Sequence, residues 1–190
     1  MNFNKIKTIT LLLMSSLLIS CVAAVVAGAA GGMVVYDRRS MSMIEKDARI
    51  FHVIHTTIVR DPRFHGSRIV VSSFDQVVLL LGQTSAASLR VLAEKVAQSA
   101  PKVRRVYNEI TVGPALSLVQ QSKDTWITGE VRSRMLAKKD LESGSIRVIT
   151  ENGVVYLMGI ATPDQADLAV TSARQVNGVS KVVKIFQYIR

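Results

Sequence analysis

The chain repeats itself, and this limits its fold more than any other feature. Asp47-Ala48-Arg49-Ile50 aligns with Asp124-Thr125-Trp126-Ile127 at an offset of 77 residues. The same offset lays Val77-Val78-Leu79-Leu80-Leu81-Gly82 on Val154-Val155-Tyr156-Leu157-Met158-Gly159. After a one-residue slip, Val103-Arg104-Arg105-Val106 matches Val179-Ser180-Lys181-Val182, and Ile110 matches Phe186. A chain of 190 residues has room for one ordinary domain or two small ones, and self-similarity on this period selects two. The units span 47–112 and 124–190, joined by a short linker at 113–123 that carries Gly113 and Pro114. Each is near the lower size limit for independent folding, so the two are expected to rest against or beside each other.

Within each unit the residue pattern predicts the order αββαβ. In the second, Asp124 or Ser122 is placed to cap a helix with Ile127, Val131 and Met135 at helical spacing. Ile146 and Val148 alternate on a strand that turns through Asn152-Gly153, a strong hairpin signal, into a second strand at 154–159. Thr162-Pro163-Asp164-Gln165 combines an N-cap, Pro at the first helical position and Gln three residues on. The helix it starts runs to about Val176, and a last strand follows at 179–189. The first unit repeats this with a weaker turn at Asp75-Gln76, Ser85 as the cap of its second helix and a last strand at 103–112. The fold class is therefore α+β, each unit a three-stranded mixed sheet with two helices on one face.

Composition narrows the function. One Cys excludes an intramolecular disulfide framework and a Cys-rich zinc site. His52 and His55 lie three apart on a predicted helix, with His65 a distant third, and no Cys or carboxylate cluster completes a metal site. Neither a Gly-x-Ser-x-Gly elbow nor a Gly-rich phosphate loop is present, and Asp164 and Asp167 share a helix without a base-like setting, so no enzyme and no cofactor is expected. The formal net charge of +10 calls for an anionic partner: nucleic acid, an acidic polymer or an anionic membrane surface. The first unit is the more basic, with Arg60, Arg63, Arg68, Lys102, Arg104 and Arg105; a solvated surface is the simpler reading of these.

The N-terminus indicates where such a partner is met. Lys5 and Lys7 precede an apolar run over residues 9–20, the pattern of a secretory signal. Leu18-Ile19-Ser20-Cys21 resembles the bacterial lipobox, which implies a diacylglycerol on Cys21 and cleavage before it. Removal of residues 1–20 takes two Lys and leaves +8 on the mature chain. The alternative is an uncleaved membrane helix, because residues 9–35 are long enough to span a bilayer. Either way the remainder is exported, and nucleic acid is not an expected partner. Val22 stands after the Cys in place of Asp; by resemblance to Gram-negative lipoproteins, that implies the outer membrane. Residues 21–46 then read as the acylated Cys and a tether with little structure of its own.

The helix from Asp124 presents a second, smaller apolar face beside its buried stripe. Trp126 and Leu136 lie on it, with Gly129, Ser133 and Ala137 between or near them, and Arg132, Lys138 and Lys139 flanking. An aromatic anchor, a Leu and adjoining cations suit an interfacial membrane site. The alternative is that Trp126 packs into the core or against the first unit.

A hairpin ending in an apolar run plus Gly, as in Asn152-Gly153-Val154-Val155-Tyr156-Leu157-Met158-Gly159, resembles the BON domain. Two such units behind a lipobox resemble the dual-BON outer-membrane lipoproteins, most closely in Asp124-Thr125-Trp126-Ile127-Thr128, Val131-Arg132-Ser133 and Thr150-Glu151-Asn152-Gly153. The resemblance implies a lipid-anchored protein of the outer membrane facing the periplasm. It further implies anionic phospholipid bound by the first helix of the second domain, a role in outer-membrane integrity at division sites, and association with outer-membrane protein assembly machinery. Two rivals remain: a protein-interaction scaffold for an envelope machine without lipid recognition, and a binder of cell-wall or other anionic polysaccharide.

Overall fold

A computed structural model of the protein describes residues 37–190. The signal segment, Cys21 and the tether up to residue 36 lie outside the described residues.

Helix α1 (Met41–Arg60) starts at Ser40, whose hydroxyl accepts from the Met43 amide, and buries Ile50, Ile54 and Ile58 along one side. Asp61 closes it ahead of a short 3-10 turn at Pro62–Phe64. Strands β1 (Arg68–Phe74) and β2 (Val77–Thr84) form an antiparallel hairpin. Its turn residues Asp75 and Gln76 both have positive φ, at 49° and 63°. Helix α2 (Ala87–Ser99) crosses back, so that β3 (Arg105–Asn108) and β4 (Thr111–Val112) pair with β2 in parallel. The second unit repeats the order: α3 (Leu118–Leu136), the hairpin β5 (Ile146–Glu151) and β6 (Val154–Ala161), α4 (Pro163–Arg174) and the parallel strand β7 (Lys181–Tyr188). Asn152 and Gly153 sit at φ 50° and 74°, the turn their types predict. At Thr162 the capping box is complete, with Pro163 at the first helical position.

Both hairpin turns are held by the same device. Asp47 on α1 is buried and accepts from the amides of Asp75 (2.7 Å) and Gln76 (2.8 Å). Asp124 on α3, 77 residues on, is buried and accepts from Asn152 (2.7 Å) and Gly153 (2.9 Å). The glycine ending each apolar run is a second shared constraint. A Cβ on Gly82 would stand 1.9 Å from the Arg68 carbonyl oxygen, and one on Gly159 would stand 2.3 Å from that of Ser145.

The packing explains why β2 and β6 are apolar at almost every position. Val78 and Leu80 face the helices with Ile50, Ile54, Ala93 and Ala97, while Leu79 and Leu81 point to the opposite face. On β6, Val155 and Leu157 face α3 and α4, and Tyr156 and Met158 point away. Those outward sets meet: Phe74, Leu79 and Leu81 of the first sheet form one core with Tyr156, Met158 and Ile185 of the second. The two sheets thus pack face to face with helices outside, and the expected contact between units is a third hydrophobic core. A strand buried on both faces loses polar alternation. Glu151, buried at the edge of this interface, accepts from Arg68 (2.6 Å) and Gln83 (2.7 Å) of the first unit. Burial pushes the Tyr156 hydroxyl up to about 12, so it stays neutral between the sheets.

Four local expectations are corrected. Neither Asp124 nor Ser122 caps α3: the helix begins at Leu118 with the Ser117 hydroxyl accepting from Gln120, because the Asp124 carboxylate is committed to the hairpin turn. The stretch 118–123 of the linker is therefore helical. Ser85 does not cap α2, whose N-cap is Ala86 without a side-chain bond. The tether reading fails at its end, since residues 41–46 belong to α1 and Asp37–Arg39 are tied to both units. Finally, the last strand of the first unit is broken between Asn108 and Thr111, where Ile110 turns into the core and its amide donates to the Asn108 side chain.

Candidate functional site

Helix α3 owes its position to its inner face. Ile127, Val131 and Met135 are buried against β5, β6 and α4, and the buried Asp124 is bonded to the hairpin turn. With that face fixed, 100° per residue determines what looks outward. Trp126 is 57% exposed and Leu136 41% exposed; Gly129, Arg132, Ser133, Ala137, Lys138 and Lys139 are exposed as well. The structure thus brings all eight residues singled out on this helix and its end onto the surface, and Trp126 is not part of the core. The indole makes no ring contact among the described residues.

The apolar stripe is longer than the sequence reading allowed. Leu118 and Val119, 79% and 67% exposed, fall within the same sector as Trp126 and Leu136, one and a half turns before Asp124. From Leu118 to Leu136 the stripe runs about 27 Å at 1.5 Å per residue. Ser122 lies on it, but its hydroxyl donates to the Leu118 carbonyl (2.9 Å), so it can leave water without losing a partner. The missed signal was present as Ser117-Leu118-Val119-Gln120, a cap followed three residues later by Gln. Taking Asp124 as the repeat's start concealed it.

Charge around the stripe is asymmetric. Glu130, at its margin, is paired with Arg134 at 2.9 Å. Arg132 leans toward the sheet and donates to the Val148 carbonyl (3.1 Å). Lys123, Lys138 and Lys139 form no ion pair among the described residues. The equivalent helix α1 is unlike α3: Arg49 stands where α3 has Trp126, Glu45 where it has Ser122, and the two pair at 2.6 Å across the middle of the face. Met41 and Val59 are exposed at the positions of Leu118 and Leu136, so the ends of this face are apolar, but the ion pair interrupts the stripe between them. Of the first unit's histidines, His55 stacks on Phe51 with ring centroids 5.2 Å apart. Among the described residues no group of three or more His, Cys, Asp and Glu is placed to hold a metal ion, and no helix is long and apolar enough to cross a membrane.

Comparison with known proteins agrees with the repeat. The family model for the BON domain matches residues 46–114 and again 123–190. The chain is 33% identical over 192 aligned residues, covering 100% of both, to the outer membrane lipoprotein DolP of Haemophilus influenzae. It is 40% identical over 124 residues, 65% of this chain and 64% of the other, to the 21 kDa hemolysin of Actinobacillus pleuropneumoniae. A solved structure of CdsD, a structural protein of the type III secretion system of Chlamydia trachomatis, overlays on 73% of this chain at 10% identity and a TM-score of 0.31, too loose a likeness to carry an argument. Two matched domains and a full-length relative of this similarity establish that the chain belongs to the BON-domain family, as a dual-BON outer-membrane lipoprotein of the DolP-like type.

Proposed function

We propose that this protein, acylated at Cys21 and held at the periplasmic face of the outer membrane, docks on anionic phospholipid through the exposed face of α3. The observation that carries the reading is the outward stripe of Leu118, Val119, Trp126 and Leu136, with Lys123, Lys138 and Lys139 beside it and without an ion pair among the described residues. A Trp in line with aliphatic residues and free cations is the composition of a helix lying in the headgroup region. Each cation near an anionic leaflet contributes about 1 kcal/mol, so such docking is weak and reversible by itself. It suffices for a tethered protein, whose local concentration at the membrane is already high. The function drawn from this is binding, not catalysis: recognition of anionic lipid in support of outer-membrane integrity, at division sites where such lipid gathers, and next to the outer-membrane protein assembly machinery.

The unit 37–190 contains all three hydrophobic cores and serves as the soluble test piece. It is expected to sediment with vesicles of phosphatidylglycerol in phosphatidylethanolamine, and not with a neutral phosphatidylcholine control. Raising the salt from low to about 0.5 M shortens the screening length severalfold and should release most of it. Equal sedimentation with neutral vesicles, or none with either, would reject the reading and favour a scaffold that meets an acidic protein.

A further inference from the structure

Arg147 on β5 carries a charge that no carboxylate of the described residues answers, since it forms no ion pair among them. Its Nη1 donates to Ser72 Oγ (3.3 Å) and to the Ser73 carbonyl (3.0 Å) on β1, while Nη2 and Nε make no hydrogen bond among the described residues. Two other guanidiniums, Arg39 and Arg132, and two carboxylates, Asp37 and Asp47, lie near enough to act on it. Both carboxylates are taken. Asp37 (2.7 Å) and Asp47 (2.9 Å) hold Arg39, and Asp47 accepts in addition from Ser73 Oγ and the turn amides of Asp75 and Gln76. Three guanidiniums against two carboxylates leave one positive charge in excess. Burial, and then repulsion from Arg39, hold the Arg147 pKa below its ordinary value, as expected of a cation drawn from water without a partner. The repeat shows that the fold itself does not require a charge here. Val70 stands 77 residues earlier, pairs with Leu81 as Arg147 pairs with Met158, and packs against the core between the sheets.

The Arg147 side chain lines a cavity of about 320 Å³ bounded by α1, β1 and β5. Sites for small molecules begin at roughly 300 Å³. Arg39 and Asp47 share its charged lining, and Ala48 and Phe51 of α1 with Val71 of β1 supply an apolar one. Arg39 is only 8% exposed and already holds two carboxylates, so Arg147 is the cation with donors left to offer. A guanidinium edge matches the two oxygens of a carboxylate, and a single excess charge matches a monoanion. The apolar lining beside it suits a short hydrocarbon chain on the same molecule. We propose that this cavity binds a small monocarboxylate with an apolar chain, its carboxylate on Arg147 and its chain along Phe51 and Val71. None of the lining residues belongs to α3, so the site stands or falls independently of lipid docking.

The test titrates the unit 37–190, which contains every residue of the cavity and all three cores, with octanoate and follows its backbone amide signals by NMR. Octanoate is expected to saturate a single site and to shift the amides around Phe51, Ser73 and Arg147. Octanol, which lacks the charge, and acetate, which lacks the chain, should each bind at least about tenfold more weakly. Arg147→Leu, which puts an apolar residue where the first unit has Val70, should weaken octanoate at least about tenfold. Ala48 is exposed on α1 at the cavity, so Ala48→Glu offers the guanidinium a carboxylate from within the chain and should displace octanoate without unfolding the protein. A melt of each variant confirms the fold, and if Arg147→Leu fails to fold, Ala48→Glu carries the test. Absence of saturable octanoate binding overturns the site. Octanoate affinity unchanged in the folded variants overturns it too, as does octanol or acetate binding as tightly as octanoate.

Discussion

Replacing Trp126 with Ala is expected to weaken binding of the folded unit to anionic vesicles by at least about tenfold while leaving its melting temperature within about 2 °C of the wild type. A fully buried Trp removes roughly 200 Å² from water. Slightly more than half of this side chain is available to a membrane, so docking covers on the order of 100 Å², about 2.5 kcal/mol at 25 cal/mol per Å². The headgroup region is only partly apolar, which brings the expected loss nearer 1.4 kcal/mol, or tenfold. The fold is largely spared because the indole makes no ring contact among the described residues and lies outside the core, and surface substitutions of this kind stay within about 0.5 kcal/mol. Leu118→Glu should act in the same direction, since it puts a like charge against the anionic surface on the same stripe. Sedimentation across a lipid titration, with a thermal melt of each variant, reads both effects.

The largest effect on stability is expected at Asp124. Asp124→Ala takes away the acceptor of two backbone amides at a buried turn, those of Asn152 and Gly153, and that of the Gln120 side chain. Bonds to a charged acceptor contribute about 1.5–3 kcal/mol, and unsatisfied buried donors add their own cost. A total of about 3 kcal/mol is expected, which for a unit of this size lowers the melting temperature by roughly 6–12 °C. Asp124→Asn keeps one acceptor oxygen and should lose about half as much. Asp47→Ala should cost at least as much as Asp124→Ala, because Asp47 additionally accepts from Ser73 Oγ and pairs with Arg39. Denaturant melts of the three variants rank them directly.

These two aspartates mark the boundary of what the sequence disclosed. Their 77-residue offset announced the repeat, and the pattern around them yielded αββαβ, the Asn152–Gly153 turn and the Thr162 capping box. Asp124 ahead of an apolar helical pattern looks like a cap, and only the fold brings the hairpin turn to it. A helix begun at Asp124 leaves Leu118 and Val119, two exposed apolar residues, in the linker. Face-to-face packing of the sheets was written in Leu79-Leu80-Leu81 and Tyr156-Leu157-Met158, where alternation fails. A short apolar run is equally consistent with a strand covered by helices alone, so the second buried face needed the tertiary structure. The outward face of α3 was legible from 100° spacing, because three buried residues on one side determine the other. The contacts of Arg38 and Arg39 were not: partners separated by 104 residues leave no local signature.

The emission of Trp126 reports on the docking face itself, because it is the single Trp and lies at the middle of the proposed contact. Titrating the unit 37–190 with phosphatidylglycerol-containing vesicles should bring a blue shift and quenching by brominated chains, both reversed by salt and both absent with neutral vesicles. Emission that stays that of a water-exposed indole while the protein sediments with the lipid would contradict docking through this face, since binding would then run through another surface.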